Sequence, residues 1–167
     1  MTTRFQRFAV DANKRLLGAL QSKDAASVVE LPIRHEGFAE LGRHKHCLVV
    51  TYRKDGRPVA QPVWPGYDGD RVYIWTEVQA YKAKRLRNNP EALIAPCTFR
   101  GKPLGDPIAA TGRILQTDAE REHAQGLIRA QWGWKRKTFE RLSRNLTAVY
   151  YIELVPAEAP EASSREV

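Results

Sequence analysis

The chain has 167 residues, of which 43% are apolar and 28% charged, ordinary values for a soluble globular protein of one domain. No apolar run approaches the roughly 20 residues of a membrane-spanning helix, so we expect neither a membrane span nor a signal peptide. The net charge of +8 and the pI of about 9.7 favour an anionic partner: a phosphorylated cofactor, an acidic substrate or a nucleic acid. The two cysteines lie in apparent strands and indicate no disulfide framework, so we expect a cytoplasmic protein.

The N-terminal segment, residues 1–34, is predicted to be a helix followed by a linker. Apolar residues recur at helical spacing over 4–21, and we expect this helix to dock on the protein itself or on a second subunit rather than on a membrane. Residues 35–156 form the main domain, which is predicted to open with a short helix over Gly37–Arg43. Residues 157–167 are rich in Ala, Glu, Ser and Pro and are predicted to be a disordered tail.

The main domain contains six segments with the alternating pattern and the β-branched and aromatic residues of strands. They are His44–Arg53, Pro58–Pro65, Arg71–Thr76, Glu91–Phe99, Ile108–Leu115 and Thr147–Val155. Asp55-Gly56 and Asp68-Gly69 are typical of hairpin turns, and Pro62 indicates an edge or a bulge because proline cannot donate to a ladder. Thr111-Gly112 predicts a close backbone approach. The pattern therefore predicts a mainly-β fold, a small six-stranded antiparallel barrel with helices in its connections.

Further helices are predicted in the connections between strands. The first covers Ala80–Asn89. The next begins at Thr117, which stands three residues before Glu120 in the spacing of a capping box. Gly133 is predicted to break this helix before a further helical turn or two over Trp134–Asn145.

The helix over Ala80–Asn89 carries four cations, and these point to a phosphate site. They are Lys82, Lys84, Arg85 and Arg87. Backbone N–H groups and the positive dipole end at a helix start attract anions, so cations placed there carry a cost that a bound phosphate would remove. A solvated helix face is the alternative for any charge run. Because the four side chains spread around the helix, we expect Lys82 with one of Lys84 or Arg85 to bind the phosphate.

Three segments resemble the pyridoxamine 5′-phosphate oxidase-like split-barrel family. Gly56–Trp64 is similar to the family's second barrel strand, and its closing Pro62-Val63-Trp64 resembles the branch that binds the deazaflavin coenzyme F420. Thr76–Pro90 resembles the family's phosphate-binding turn from strand to helix. Ala95-Pro96-Cys97 followed by Gly101 recurs in one subgroup of that branch. The resemblance covers most of the chain.

The resemblance implies a split-barrel homodimer with a flavin or deazaflavin ring along the second strand, at the subunit interface. The residues that would border the ring are Gln61, Pro62, Val63 and Trp64. Those that would bind the phosphate are Thr76, Lys82 and Lys84, with Arg85 as a helper. No catalytic side chain is implied, because the protein supplies binding and orientation and the cofactor supplies the chemistry.

The choice of cofactor follows from departures from the family pattern. Members that bind flavin mononucleotide (FMN) typically show Ser-Arg-Lys where Ala80-Tyr81-Lys82 stands here, and an Arg and a Lys where Ala60 and Pro65 stand. We therefore expect an oxidoreductase that passes hydride from reduced coenzyme F420 to an electron-poor small molecule, enone-like or quinone-like. An FMN-dependent oxidase or reductase is the alternative, and a non-catalytic cofactor-binding or haem-binding barrel is another.

Other kinds of site are not expected. His44 and His46 stand at strand spacing, but no acidic or thiol partner follows at the spacing of metal ligands. A nucleic acid would need a long basic groove, whereas the basic cluster here is short. Trp132 and Trp134, followed by the basic residues 135–137, are interpreted as a docking surface, with a lid or a site for an acidic cofactor tail as alternatives.

Overall fold

A computed structural model describes residues 23–77, 80–143 and 149–159 of the chain. The predicted helix over 4–21 and most of the predicted tail lie outside these residues. The strands are β1 Cys47–Tyr52, β2 Pro58–Val63, β3 Gly66–Asp68, β4 Arg71–Glu77, β5 Glu91–Pro96, β6 Ile108–Ile114 and β7 Val149–Pro156. The α-helices are α1 Tyr81–Asn88 and α2 Asp118–Ser143, and two 3-10 helices cover Lys23–Glu30 and Ala39–Arg43.

The seven strands form one antiparallel sheet in the order β2-β1-β5-β6-β7-β4-β3. The predicted mainly-β antiparallel fold is confirmed, and the predicted strands correspond to six of the seven. The additional strand, β3, was predicted as a turn because its three residues adjoin Asp68-Gly69. Within this sheet β2 is an edge strand, as Pro62 indicated.

The sheet is apolar on both faces near its centre, and β1 shows this most clearly. Cys47 and Val49 belong to one buried cluster, whereas Leu48 and Val50 belong to another on the opposite face. The second cluster is covered by the 3-10 helix over Lys23–Glu30 through its apolar side chains. The segment predicted as a linker therefore contains a 3-10 helix, and its short apolar patch docks this helix on the sheet.

Helix α1 is seated on the sheet by a glycine. A Cβ built on Gly112 of β6 would lie 3.0 Å from Leu86 Cδ2 and 2.9 Å from Leu154 Cδ2, both below ordinary contact distance. The close approach predicted at Gly112 is therefore confirmed. It lets Ala83 and Leu86 of α1 reach the first buried cluster, which fixes how the rest of the helix is presented.

Helix α2 begins as its capping box predicts. The Glu120 N–H donates to Thr117 Oγ1 at 3.3 Å, and the Thr117 N–H donates to Glu120 Oε2 at 3.1 Å. The predicted break at Gly133 was wrong, since α2 continues to Ser143. A glycine inside a helix costs only about 1 kcal/mol, which a long helix tolerates. None of the helices in the described ranges is both long and apolar enough to cross a bilayer.

Candidate functional site

The two sides of α1 have different surroundings. Lys82, Ala83 and Leu86 are buried against the sheet. The side that carries Tyr81, Lys84, Arg85 and Asn88 lines a surface cleft. These four positions are spaced i, i+3, i+4 and i+7, which places them along one face of the helix. One side of this short helix therefore anchors it, and the other is free to contact a ligand.

The cleft beside α1 is strongly cationic. Its volume is about 410 Å³, and its other wall is Arg53 and Lys54 at the turn after β1. Four of its six lining residues are therefore basic, and none is acidic. The acid of the same turn, Asp55, is held by Arg57 through an ion pair of 2.6 Å. Like charges gathered in one cleft repel one another, so a bound anion would stabilise this arrangement.

Arg85 connects the cleft to strands β1 and β2. Its Nε–H donates to Thr51 Oγ1 at 2.7 Å, and its Nη2 donates to Gln61 Oε1 at 3.3 Å. Burial lowers the pKa of this guanidinium, and the nearby charge of Arg53 lowers it further. An anion in the cleft would oppose both effects.

Lys82 differs from the other three cations of α1 because its side chain is buried. Only 6% of it is exposed, and no carboxylate in the described part of the chain pairs with it. Burial lowers its pKa from 10.5 to about 7, with a smaller contribution from Arg85. Lys82 lies on the anchored side of α1 and is not one of the six residues that line the cleft.

The last cation, Arg87, points elsewhere. Its guanidinium lies 4.6 Å from the centre of the Tyr150 ring, a cation–π contact with β7. Arg85 and Arg87 are in the last turn of α1, where positive charge is favourable. The unfavourable dipole interaction expected from the sequence therefore falls mainly on Lys82. At the other end the N-cap residue is Ala80, which offers no side-chain cap.

The remaining ring and phosphate candidates lie outside the cleft. Gln61 contacts Arg85, as described above. Val63 is buried in the core, and Pro62 pairs with Leu48 on the edge strand. Thr76 is buried in β4 opposite Tyr150. The structure thus brings together Gln61, Lys84 and Arg85, and places Thr76 and Lys82 in buried positions.

Trp64 lies at the opposite end of β2 from the turn, in an aromatic cluster. Its indole stacks on Trp132 of α2 with ring centres 4.8 Å apart and planes inclined by 18°. Trp132 also meets the edge of His46, which contacts Phe99 in turn. The Nε2 atom of His46 is buried without a hydrogen-bond partner, and burial lowers its pKa.

Sequence reasoning missed three residues of this site: Thr51, Arg53 and Lys54. Arg53 was predicted only as the end of a strand and Lys54 only as part of the hairpin turn, although two cations beside a turn could have been paired with those of the basic helix. Thr51 has a subtler signal, because it is a polar residue on the strand face that carries Cys47 and Val49. In the described residues no group of three metal-ligating side chains occurs.

A family model described as pyridoxamine 5′-phosphate oxidase matches residues 33–160, which is most of the chain. The chain belongs to this family. The match covers all seven strands and the cationic cleft, so the predicted resemblance to pyridoxamine 5′-phosphate oxidases is confirmed at the level of the family. No functionally curated protein shows significant similarity to the chain.

Solved structures agree with the pyridoxamine 5′-phosphate oxidase fold. HutZ, the haem storage protein of Vibrio cholerae, is 15% identical with a TM-score of 0.53 over 74% of this chain and 93% of its own. A Clostridium acetobutylicum protein related to general stress protein 26, of the pyridoxinephosphate oxidase family, is 17% identical with a TM-score of 0.52, over 70% and 78%. A conserved hypothetical protein of Mycobacterium tuberculosis is 12% identical with a TM-score of 0.54, over 83% and 86%. At these identities the likeness shows the fold alone.

Proposed function

We propose that this protein binds a phosphorylated redox cofactor of the flavin type, that the cofactor is coenzyme F420, and that the protein is an oxidoreductase. The observation that carries the proposal is the cleft between α1 and the β1–β2 turn, which has four basic lining residues and no acidic one. Lys84 and Arg85 are the proposed direct contacts of the phosphate, with Arg53 and Lys54 on the facing wall. Thr76 and the buried Lys82 are proposed to support this end of the site.

The proposed path of the cofactor follows β2. Gln61 contacts the cleft through Arg85, and Trp64 lies three residues further, about 10 Å along an extended strand. A tricyclic ring of that length would border Gln61, Pro62, Val63 and Trp64, with its phosphate in the cleft. Because β2 is a sheet edge with half-buried residues, a second copy of the chain is proposed to cover the ring and complete a homodimer.

Coenzyme F420 is preferred to FMN on charge and on side-chain identity. F420 carries a phosphate and a tail of glutamates, and four clustered cations exceed what a single phosphate requires. Tyr81, which stands where FMN-binding members typically have arginine, lines the cleft and is 73% exposed. Ala60 on β2 likewise offers no charge. FMN remains the second candidate, favoured by the family to which the chain belongs.

The reduced deazaflavin would supply hydride to an electron-poor acceptor of the enone or quinone kind. The protein's own residues would bind the phosphate, hold the ring against β2 and orient the acceptor, and none of them needs to donate or accept a proton. A non-catalytic cofactor carrier is the alternative, and the likeness of the fold to the haem storage protein HutZ keeps it open.

Fluorescence titration of the purified protein with F420 and with FMN tests the proposal. We expect the tighter binding for F420, and affinity should fall steeply as salt rises because the cleft is exposed to screening. Lys84→Ala should weaken binding about tenfold or more, the loss of one charge-assisted hydrogen bond. Lys45→Ala is the matched control, since Lys45 is exposed and precedes β1 at the end away from the cleft. Tighter binding of FMN would reject F420, and equal effects of the two variants would reject the cleft.

A further inference from the structure

Thr51 is a polar residue at a fully buried position whose neighbours on the same strand face are apolar. It lies in β1 between Val59 of β2 and Ala92 of β5, and it is 0% exposed. Its neighbours on the same strand face, Cys47 and Val49, belong to the apolar core. Valine has nearly the same shape as threonine, so stability alone would favour valine here. A buried hydroxyl is tolerated only when it is hydrogen-bonded.

The partner of this hydroxyl is the guanidinium of Arg85. Thr51 Oγ1 accepts from Arg85 Nε at 2.7 Å, and Gln61 Oε1 accepts from Nη2 at 3.3 Å. A guanidinium has five N–H groups, so these two bonds leave three for a ligand. The two acceptors lie on neighbouring strands of the sheet, which fixes both the position and the plane of the guanidinium at the edge of the cleft.

We propose that Thr51 is a positioning residue that holds Arg85 between the phosphate cleft and β2, so that one cation serves both ends of the ligand. This inference rests on the proposed phosphate site. A long arginine side chain loses much rotamer freedom when it binds an anion, and fixing it beforehand removes part of that loss. The same bond pattern orients Gln61, because its oxygen faces Arg85 and its amide N–H groups are left for the ring.

The expected signature is a loss of affinity that depends on the phosphate. Thr51→Val removes the acceptor and keeps the shape, whereas Thr51→Ser keeps the hydroxyl. Each variant is titrated with coenzyme F420, with the deazariboflavin 5′-phosphate that lacks its glutamate tail, and with the deazariboflavin that lacks the phosphate as well, so that the phosphate is tested apart from the tail. We expect Thr51→Val to weaken binding of the two phosphorylated ligands about tenfold and to change deazariboflavin binding less than about twofold, with Thr51→Ser close to the wild type.

Two further variants separate positioning from a general loss of structure. Tyr67→Phe removes another hydroxyl, which donates to the His44 carbonyl at 2.9 Å and contacts Cys47 Sγ at 3.2 Å, at the other end of β1 from Thr51, and should leave all three affinities unchanged. Arg85→Lys keeps the charge but cannot make the Nε bond to Thr51. In that background Thr51→Val should have no additional effect on F420 binding.

The outcomes distinguish this inference from the proposed function. A wild type that binds deazariboflavin 5′-phosphate and deazariboflavin equally well would reject the phosphate site, and the inference with it. If the phosphate does strengthen binding to the wild type, three results would overturn the role of Thr51 alone. These are equal losses of affinity for ligands with and without the phosphate, no rescue by Thr51→Ser, or an undiminished effect of Thr51→Val in the Arg85→Lys background. A tenfold, phosphate-dependent and serine-rescued loss supports it.

Discussion

Leu86 of α1 occupies the space that a side chain at Gly112 of β6 would need. A Cβ at Gly112 would lie 3.0 Å from Leu86 Cδ2, and Leu154 Cδ2 would be closer still at 2.9 Å. Side chains flex at their ends, but here both neighbours are buried in the core. The distance of α1 from the sheet therefore depends on the absence of a side chain at Gly112. The positions of Lys84 and Arg85 depend on it in turn.

Gly112→Ala is expected to destabilise the protein by about 1–3 kcal/mol, because overpacking forces Leu86 or Leu154 to move. Since α1 carries one wall of the cleft, affinity for a phosphorylated ligand should also fall. Urea unfolding and ligand titration measure the two effects. Gly126→Ala is the control, because nothing lies within 4 Å of its Cβ and alanine favours a helix. A neutral Gly112→Ala would show that α1 is not seated by this contact.

Lys82→Met is expected to stabilise the protein at neutral pH. The ammonium is 6% exposed with its pKa lowered to about 7, so folding at pH 7 either buries a charge or releases a proton. Methionine keeps the length and fills the same space without that cost. We expect a gain of roughly 2–4 kcal/mol at pH 7, measured by urea unfolding.

The pH dependence of that gain identifies its cause. Between pH 7 and 10.5 the unfolded chain binds the Lys82 proton and the folded chain does not, so wild-type stability rises with pH across this range. Below about pH 7 both states are protonated and the penalty is constant. The difference between Lys82→Met and the wild type should therefore shrink as pH rises toward 10.5. A difference that does not vary with pH would assign the gain to packing alone.

Glu153→Gln is expected to destabilise the sheet by about 2–3 kcal/mol, because a buried carboxylate joins three strands. Glu153 of β7 is 4% exposed and accepts from Arg71 and Tyr73 of β4 and from Arg113 of β6. Burial alone would raise its pKa, but these hydrogen bonds together hold the pKa below its usual value. The stability that Glu153 contributes is therefore present above the unfolded pKa and is lost as pH falls through the folded one.

Unfolding measured at pH 7 and at pH 3 checks this assignment, since the gap between Glu153→Gln and the wild type should narrow in acid. Glu40→Gln is the control. Its carboxylate pairs with Arg43 on the surface, where both side chains are largely exposed, and its loss should leave the free energy of unfolding nearly unchanged. If the two substitutions changed the free energy of unfolding equally, the burial of Glu153 would not add to its contribution to stability.

The sheet could be read from the sequence because its signals are local. The run of β-branched and aromatic residues in β1, the Asp55-Gly56 turn and Pro62 on the edge strand each indicate a backbone conformation that a few neighbouring residues decide. The capping box at Thr117 is local in the same way. Gly133 was misjudged because its cost of about 1 kcal/mol is real but small beside the favourable terms of a long helix. Strand β3 was missed because three residues are too few to show the alternating pattern of a strand.

The cleft was only half predictable, because its two walls are distant in sequence. The cations of α1 form a visible run, but which of them face a ligand depends on how Leu86 docks against Gly112. That contact turned Lys82 inward and Lys84 outward, whereas the sequence interpretation expected Lys82 to lead. Arg53 stands 31 positions before Lys84, and only the pairing of β1 with its neighbours brings the two together. Thr51 becomes informative only once Arg85 is seen to bond to it.

Gln61→Glu is expected to raise stability and lower ligand affinity at the same time. The substitution places a carboxylate where the Gln61 oxygen now lies, 3.3 Å from Arg85 Nη2, and so gives this guanidinium a counterion within the protein at neutral pH. The repulsion between Arg85 and Arg53 is then offset in the free protein. A phosphate entering the cleft must compete with the new ion pair, and we expect its affinity to fall about tenfold or more.

Opposite changes in stability and affinity are hard to obtain by damaging the fold, which makes Gln61→Glu a sharp test of the cleft. Urea unfolding gives the first quantity and titration with F420 the second. Gln125→Glu adds the same charge on α2, away from the six lining residues, and should change neither by much. Because the glutamate must be ionised to compete, the loss of affinity should diminish as pH falls through the pKa of its carboxyl, which the charge of Arg85 holds below the usual range. Unchanged affinity at pH 7 would place the phosphate away from Arg85.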